Sequence, residues 1–237
     1  MKSIFQKRTF GKRISSPQII ALGFLMIILV GALLLMLPVS TNDSSVTPFT
    51  NCFFTATSAT CVTGLVTYDT FLHWSPFGRT VIILLIQTGG LGFMTLAALF
   101  SVIIRKNLSL KEKMTMTQSL SIERENISKL IKRIVVGTFL CEAAGGIVLS
   151  VRFAFDYSLP TALWKGFFIS VSAFCNAGFD VLGDRGEFSS LSSYAADPTV
   201  VFTVSALILI GGLGFFVRAD ILKKRRFKTL ELYSKVV

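Results

Sequence analysis

The chain has 237 residues, of which 52% are hydrophobic and 16% are charged, and its mean hydropathy is +0.67. This composition excludes an ordinary soluble domain and indicates a protein that lies in a lipid bilayer. The formal net charge of +11 indicates membrane topology and attraction to membrane lipid rather than nucleic-acid binding, because no basic patch is interleaved with exposed aromatic residues.

Six helices are predicted in chain order, and four of them are long enough to cross a membrane. The hydrocarbon core of a bilayer is about 30 Å thick and requires about 20 apolar helical residues. Four stretches meet this requirement: about 17–38, 77–104, 127–151 and 198–222. Helices 48–60 and 160–174 are too short and too rich in hydroxyl groups to cross. We interpret these two as re-entrant pore helices, which need surrounding protein or a water-filled cavity.

Prolines mark most of the predicted helix starts. A proline at the first helical position loses no hydrogen bond, and a preceding Ser, Thr or Asp side chain can cap the helix. The helix starts are therefore predicted to within a few residues. The pattern occurs at Ser16-Pro17, Thr47-Pro48, Ser75-Pro76 and Asp197-Pro198.

The six helices form two units in tandem. Residues 1–104 and 127–222 each contain a spanning helix, a pore helix and a second spanning helix, while residues 105–126 form a linker and 223–237 a basic tail. Each unit crosses the membrane twice, so both units have the same orientation and are parallel repeats. The predicted fold is an all-α membrane protein with four spanning helices and two re-entrant pore helices.

The charge distribution predicts which side each segment faces. Twenty of the 24 basic residues lie in the N-terminal segment, in the linker with the start of the third spanning helix, and in the tail. Because cytoplasmic loops retain Lys and Arg, these segments and both termini are expected in the cytoplasm. The loops that hold the pore helices are rich in Asp and poor in bases and are expected to face outward.

A hydroxyl-rich motif occurs once in each unit. Residues 54–65 and 168–179 align without gaps at an offset of 114, which places Gly64 on Gly178. A glycine-rich motif follows each copy, 89–93 and 211–215, at an offset of 122. The glycine-rich motif lies inside a predicted span and lacks the pattern of a phosphate-binding loop, so it is expected to pack helices closely. The chain is therefore a tandem duplication.

The hydroxyl-rich motif has the composition of a cation filter. A dehydrated alkali cation needs oxygen ligands, which rings of backbone carbonyls supply in potassium pores. A strand that lines a pore with carbonyls needs residues with unusual backbone angles, and glycine adopts them without steric cost. The pore helices would also aim their carbonyl dipoles at the ion. The predicted potassium ligands are the backbone carbonyls of Cys61, Val62, Thr63, Gly64, Leu65, Cys175, Asn176, Ala177, Gly178 and Phe179.

The motifs at 55–65, 87–93 and 175–180 together resemble those of KtrB and its TrkH relatives, the membrane subunits of bacterial potassium uptake systems. The first span begins near residue 17 without a preceding hydrophobic hairpin, which is closer to the KtrB branch. The resemblance implies potassium transport across the bacterial cytoplasmic membrane, by a filter with one glycine per unit in a homodimer. It also implies a cytoplasmic KtrA-like or TrkA-like ring, through which alone a nucleotide would act, and no covalent cofactor.

The chain departs from the family in having two units where the family has four. We expect a fragment that lacks the second half more than a natural half-transporter that pairs two chains. The alternative function is a non-conducting fragment or an assembly or regulatory membrane subunit. A carrier for an organic solute is a third alternative. His73 is the single histidine and has no nucleophile or carboxylate near it in sequence, so no enzyme is expected.

Two acidic residues are further candidates. Glu142 lies midway along the third predicted span, where an acid is a functional candidate by default. Its alternative role is a hydrogen bond between helices. Asp180 follows Gly178 by two residues and could attract cations at the outer mouth or simply form a turn.

Overall fold

The computed structural model of the chain describes residues 16–92, residues 127–213 and Val217. These ranges contain six α-helices: α1 (Ser16–Leu35), α2 (Phe49–Thr60), α3 (Pro76–Leu91), α4 (Ile127–Phe153), α5 (Leu159–Phe174) and α6 (Pro198–Gly212). Short 3-10 turns lie in the connections, and no β-strand occurs within the described ranges beyond one bridge between Thr41 and Trp74. Over the described ranges, the prediction of an all-α protein is confirmed.

Two of the predicted helix caps are formed. Ser75 accepts a hydrogen bond from the Gly78 amide at the start of α3, and Asp197 accepts from the Thr199 and Val200 amides at the start of α6. Both helices have proline in their first turn, which agrees with the prediction.

The cap predicted at Thr47 is wrong. Pro48 itself is the N-cap of α2, and no side chain caps this helix. The Thr47 hydroxyl instead makes a 2.9 Å hydrogen bond with His73 Nε2, from a loop 26 residues later. A contact distant in sequence therefore replaces the local cap.

The helix ends can be compared with the predicted spans only in part. Among the described residues, α4 alone contains a segment long and apolar enough to cross a membrane, Lys132–Phe153. Shorter apolar helices cover Ile20–Leu35, Pro76–Leu91, Leu159–Phe174 and Pro198–Gly212. α3 ends at Leu91, where Gly92 adopts a φ of 76°, so the predicted helix 77–104 is interrupted there. Residues 93–104, most of 214–222, the linker and both terminal segments lie outside the described residues.

The helices pack as two similar groups. In the first group α1 contacts α2 and α3, and in the second α4 contacts α5 and α6. A glycine marks the same close approach in each: Gly31 of α1 lies against Leu85 of α3, and Gly145 of α4 lies against Leu207 of α6. These pairs are related by the offsets of 114 and 122 found in the motifs. The internal similarity of the sequence is thus repeated in the contacts between helices.

The two groups meet along α3 and α5 and through the loops that follow α2 and α5. Asp69 is buried, and its Oδ1 accepts hydrogen bonds from the Phe71 and Leu72 amides at 2.8 and 2.9 Å. Its Oδ2 accepts from the Phe188 amide at 2.9 Å, 119 residues along the chain. One carboxylate therefore joins the loop after α2 to the loop after α5.

Lys165 of α5 also lies where the groups meet, since its ammonium group contacts the Phe71 ring of the first group. Its side chain has no solvent exposure, and its Nζ donates to Asp184 Oδ1 at 2.5 Å. The same nitrogen lies 4.2 Å from the centre of the Phe71 ring and 4.3 Å from that of Tyr157. The ammonium group thus has one carboxylate and two aromatic faces around it, an arrangement that compensates for its burial.

Candidate functional site

The hydroxyl-rich motifs form two turns with the same hydrogen bonds. After α2, the amides of Cys61, Val62 and Thr63 donate to the carbonyls of Thr57, Ala59 and Ser58 at 2.8, 3.3 and 3.0 Å. After α5, the amides of Cys175, Asn176 and Ala177 donate to the carbonyls of Val171, Ala173 and Ser172 at 2.9, 3.0 and 2.8 Å. Every donor and acceptor in the second set is 114 residues after its counterpart in the first. The backbone therefore has the same hydrogen-bonded turn at the end of α2 and at the end of α5.

The same turns share two positions of positive φ. Val62 and Asn176 have φ of 50° and 58°, and Gly64 and Gly178 have φ of 75° and 74°. A β-branched residue such as Val62 rarely adopts positive φ, which indicates that the surrounding structure imposes it. At the two glycines this conformation costs no steric energy. The sequence prediction that glycine is needed at these two positions for its backbone freedom agrees with these angles.

The two glycines also bring the turns together. A Cβ atom on Gly64 would lie 2.7 Å from the Ala177 carbonyl oxygen and 3.3 Å from Gly178 Cα. A Cβ atom on Gly178 would lie 3.4 Å from Gly64 Cα. Two backbones that are distant in sequence therefore meet at their glycines, with a carbonyl oxygen at the contact.

The turns differ in their surroundings. In the first, Cys61, Thr63 and Leu65 are exposed, whereas Val62 and Gly64 are half-buried. In the second turn, Cys175, Ala177 and Phe179 are buried. Asn176 and Gly178 are exposed. The described part of the chain therefore covers the second turn more completely than the first.

The glycine-rich motif packs against the ends of α2 and α5. A Cβ atom on Gly89 would lie 2.0 Å from the Thr60 carbonyl oxygen, and one on Gly211 would lie 1.8 Å from that of Phe174. Gly90 likewise lies in close contact with Cys175, whose Sγ would be 2.3 Å from an added Cβ on Gly90. The prediction that these glycines allow close packing of helices is confirmed.

Asp180 lies in a cleft at one end of the paired turns. The cleft is lined by both glycines together with Asp69, Phe179, Asp180 and Phe188. The Leu182 amide donates to Asp180 Oδ1 at 3.0 Å, which is a turn contact. Burial raises the pKa of the Asp180 carboxyl above its usual value, and the nearby charge of Asp69 acts in the same direction. The turn role is observed, and the cation-attracting role stays a prediction.

Glu142 lies in the middle of α4 and is almost completely buried, with 3% exposure. Its Oε1 accepts a hydrogen bond from Gln87 Nε2 of α3 at 3.0 Å, so the hydrogen bond between helices that was one of its two predicted roles is present. The structure places it beside Cys175 at the start of the second turn and away from the cleft that holds Asp180.

Sequence reasoning missed three residues that organise this region. Gln87 interrupts an apolar run before the glycine-rich motif, Lys165 is the single base in α5, and Asp69 is one acid among several in the outer loops. The first two carry a usable signal, because a polar or charged side chain within an apolar helix usually has a buried partner. Nothing local distinguishes Asp69 from the other loop acids.

Comparison with known proteins identifies relatives over the whole chain. The family model of TrkH, described as a cation transport protein, matches residues 12–236. The chain is 41% identical over 231 residues to the potassium/sodium uptake protein NtpJ of Enterococcus hirae, which covers 97% of this chain and 50% of that protein.

Two further relatives are named Ktr system potassium uptake protein B. The protein of Bacillus subtilis is 40% identical over 226 residues, covering 95% of this chain and 49% of its own. The protein of Vibrio alginolyticus is 38% identical over 225 residues, covering 93% and 48%. The chain thus spans about half the length of the curated relatives it matches.

Proposed function

The chain belongs to the TrkH family of cation transport proteins, and from this premise we propose that it carries potassium across the bacterial cytoplasmic membrane. Membership of the family confirms that the chain is a membrane transport protein of the Ktr/TrkH type, on the KtrB side, and not an enzyme. In this proposal the chain supplies part of the ion-translocating subunit of a KtrAB-type or Trk-type uptake system.

The observation that carries the proposal is the meeting of the two turns at Gly64 and Gly178. Their backbones have the same hydrogen bonds and the same angles, and both follow a helix whose C-terminal carbonyl dipoles point toward the turn. We propose that the carbonyl oxygens of residues 61–65 and 175–179 are the potassium ligands. Sodium is the competing ion, since the relative NtpJ is named for potassium and sodium uptake.

The architecture that goes with this function is two parallel repeats. Residues 1–104 and 127–222 form the units, the linker 105–126 and tail 223–237 are cytoplasmic, α2 and α5 are re-entrant pore helices, and both termini face the cytoplasm. The repeated contacts of Gly31 with Leu85 and of Gly145 with Leu207 support the equivalence of the units. A second half or second copy would complete the pore, and a cytoplasmic nucleotide-binding ring would regulate it without any cofactor on this chain.

The test is the substitution Gly64→Ser. A serine there is strained at a φ of 75° and places its Cβ 2.7 Å from the Ala177 carbonyl oxygen, so it displaces the candidate ligands. We expect the ratio of potassium to sodium uptake to fall by about tenfold, which corresponds to about 1.4 kcal/mol, while the protein stays in the membrane. The measurement is uptake of each ion by cells that lack their own potassium transporters.

The matched control is Gly92→Ser. Gly92 has a φ of 76°, but no atom of the described residues lies within 4 Å of an added Cβ. Gly92→Ser therefore has the same backbone strain without the contact between the turns. An unchanged selectivity in Gly64→Ser at normal membrane abundance contradicts the filter proposal.

The half-length match favours a second candidate function, in which the chain conducts nothing alone and acts as an assembly or regulatory membrane subunit. Purified chain in liposomes then shows no potassium flux, and addition of the complementary half restores it. Flux through the chain alone supports instead a pore completed by copies of the same chain.

A further inference from the structure

Glu142 is linked to three parts of the molecule at once. Its backbone carbonyl accepts a hydrogen bond from the Ser170 hydroxyl of α5 at 2.7 Å. Its side-chain Oε1 accepts from Gln87 of α3 at 3.0 Å and from the Cys175 thiol at 3.9 Å. A buried carboxylate needs such partners, and in a region of low dielectric constant each of them resists displacement. Glu142 therefore joins α4 to α5 of its own group, to α3 of the other group and to the first residue of the second turn.

Cys175 is held from two sides by this arrangement. Besides its contact with Glu142, the Cys175 side chain lies against Gly90, where an added Cβ would come within 2.3 Å of Cys175 Sγ. Cys175 is also the C-cap of α5, and its backbone carbonyl is the first candidate ligand of the second turn. The contacts that hold its side chain therefore act on the residue at which the candidate ligands begin.

The first unit has no such arrangement. The repeated contacts of Gly31 and Gly145 place Ile28 of α1 at the position of Glu142, and the glycine-rich motifs place Leu209 of α6 at the position of Gln87. Ile28 is buried in the hydrophobic core, and Leu209 is 68% exposed. The pair of Glu142 and Gln87 is thus not repeated between the units. It occurs only beside the second turn, in contact with Cys175. A buried acid at that place requires a reason beyond packing, because its apolar counterpart packs without one.

We infer that Glu142 is a positioning residue which, together with Gln87, sets the geometry of Cys175 and so the ion selectivity of the second turn. The inference rests on the proposed function, since it assumes that the carbonyls of residues 175–179 bind the ion. Carbonyl ligands discriminate between potassium and sodium through their placement, so a small displacement at Cys175 changes selectivity before it changes assembly.

The first experiment compares selectivity among four variants in the assembly in which the chain supports uptake. Gln87→Leu and Glu142→Leu remove the hydrogen bond and are expected to lower the ratio of potassium to sodium uptake by about tenfold. Glu142→Gln keeps the size and an accepting oxygen, and its ratio stays within about twofold of the original. Thr88→Val, a neighbour of Gln87 whose hydroxyl bonds within its own helix, is the control.

Unchanged selectivity in both leucine variants at normal membrane abundance overturns the inference. An equal loss in Glu142→Gln and Glu142→Leu also overturns it, because the effect is then one of charge and not of hydrogen-bonded placement. These outcomes are separate from failure of the filter proposal, which Gly64→Ser reports.

A second readout does not depend on transport. With Cys52, Cys61 and Cys141 replaced by Ala, the rate at which a small water-soluble thiol reagent modifies Cys175 reports how firmly it is held. Gln87→Leu is expected to raise this rate by about tenfold, and Thr88→Val leaves it unchanged. An unchanged Cys175 rate in Gln87→Leu contradicts the proposed contact even if the chain conducts no ion.

Discussion

At the scale of single residues, the environment of Lys165 predicts an asymmetric response to mutation. Lys165 is fully buried, whereas the side chain of its partner Asp184 is 29% exposed. Asp184→Asn leaves a buried cation without the carboxylate that accepts its hydrogen bond and is expected to destabilise the chain by about 3–5 kcal/mol. Lys165→Met keeps the length of the side chain and leaves a carboxylate that water can reach, so its cost is expected to be below about 1.5 kcal/mol. Thermal unfolding in detergent measures both, and equal costs contradict the account.

Asp180 gives a prediction about pH. Burial, with a further contribution from Asp69, raises the pKa of Asp180 above its ordinary value of 3.8, so the carboxylate takes up a proton at a higher pH than an exposed one. If this carboxylate attracts cations to the cleft, uptake at limiting potassium falls as external pH drops through that raised pKa. The sign for stability is opposite, because a buried carboxylate destabilises the fold while it is charged.

The measurement is the pH profile of potassium uptake, compared with that of Asp180→Asn. The asparagine variant is expected to take up less potassium near pH 7 and to show a flatter acid limb. Matching profiles in the two proteins leave Asp180 with its turn role alone.

At the scale of helices, the glycines that face helix ends predict how tightly the units are packed. Gly89→Ala or Gly211→Ala places a methyl group about 2 Å from the last carbonyl of α2 or α5 and is expected to cost about 1–3 kcal/mol. Gly137→Ala in α4 is the matched control, because no atom in the described part of the chain lies within 4 Å of its added Cβ. In that control alanine is expected to stabilise the helix by up to about 1 kcal/mol. Thermal midpoints that move together in all three variants contradict this packing.

The helices and the candidate turns could be predicted from sequence because their signals are local. Apolar length, prolines and the caps at Ser75 and Asp197 indicate where helices lie, and the duplicated motif indicates which glycines matter. The error at Thr47 and the failure to identify Gln87 as the partner of Glu142 have a common cause. Each depends on a partner 26 or 55 residues away, which no local pattern encodes.

At the scale of the whole molecule, the residues equivalent to Gly90 and Cys175 do not form the same contact. Cys61, the equivalent of Cys175, is exposed. Gly212, the equivalent of Gly90, has only the Asn176 amide group nearby among the described residues, at 3.8 Å from an added Cβ. The described part of the chain therefore has two surfaces without a counterpart, one at Cys61 and one at Gly212. Each surface is equivalent to one side of the contact between Gly90 and Cys175.

A complementary half or a second copy is expected to cover Cys61 with a pair of glycines. In chains that keep Cys61 alone, thiol modification should then slow by about tenfold when the complementary half is present. A variant that keeps Cys175 alone is the control, since Cys175 is buried with or without that half. Equal modification rates for Cys61 with and without the complementary half mean that the surface at Cys61 is not where the two halves meet.

The carboxylate of Asp69 also has a consequence for the order in which the protein is made. Its bond to the Phe188 amide joins residues 119 positions apart, so the ribosome must complete most of the second unit before the bond exists. Until then the outer loop of the first unit holds an acid that lacks one of its partners, and burial of that acid is disfavoured. The loop that holds Asp69 therefore gains its last observed hydrogen bond only after part of the second unit has been made, although the loop itself is synthesised earlier.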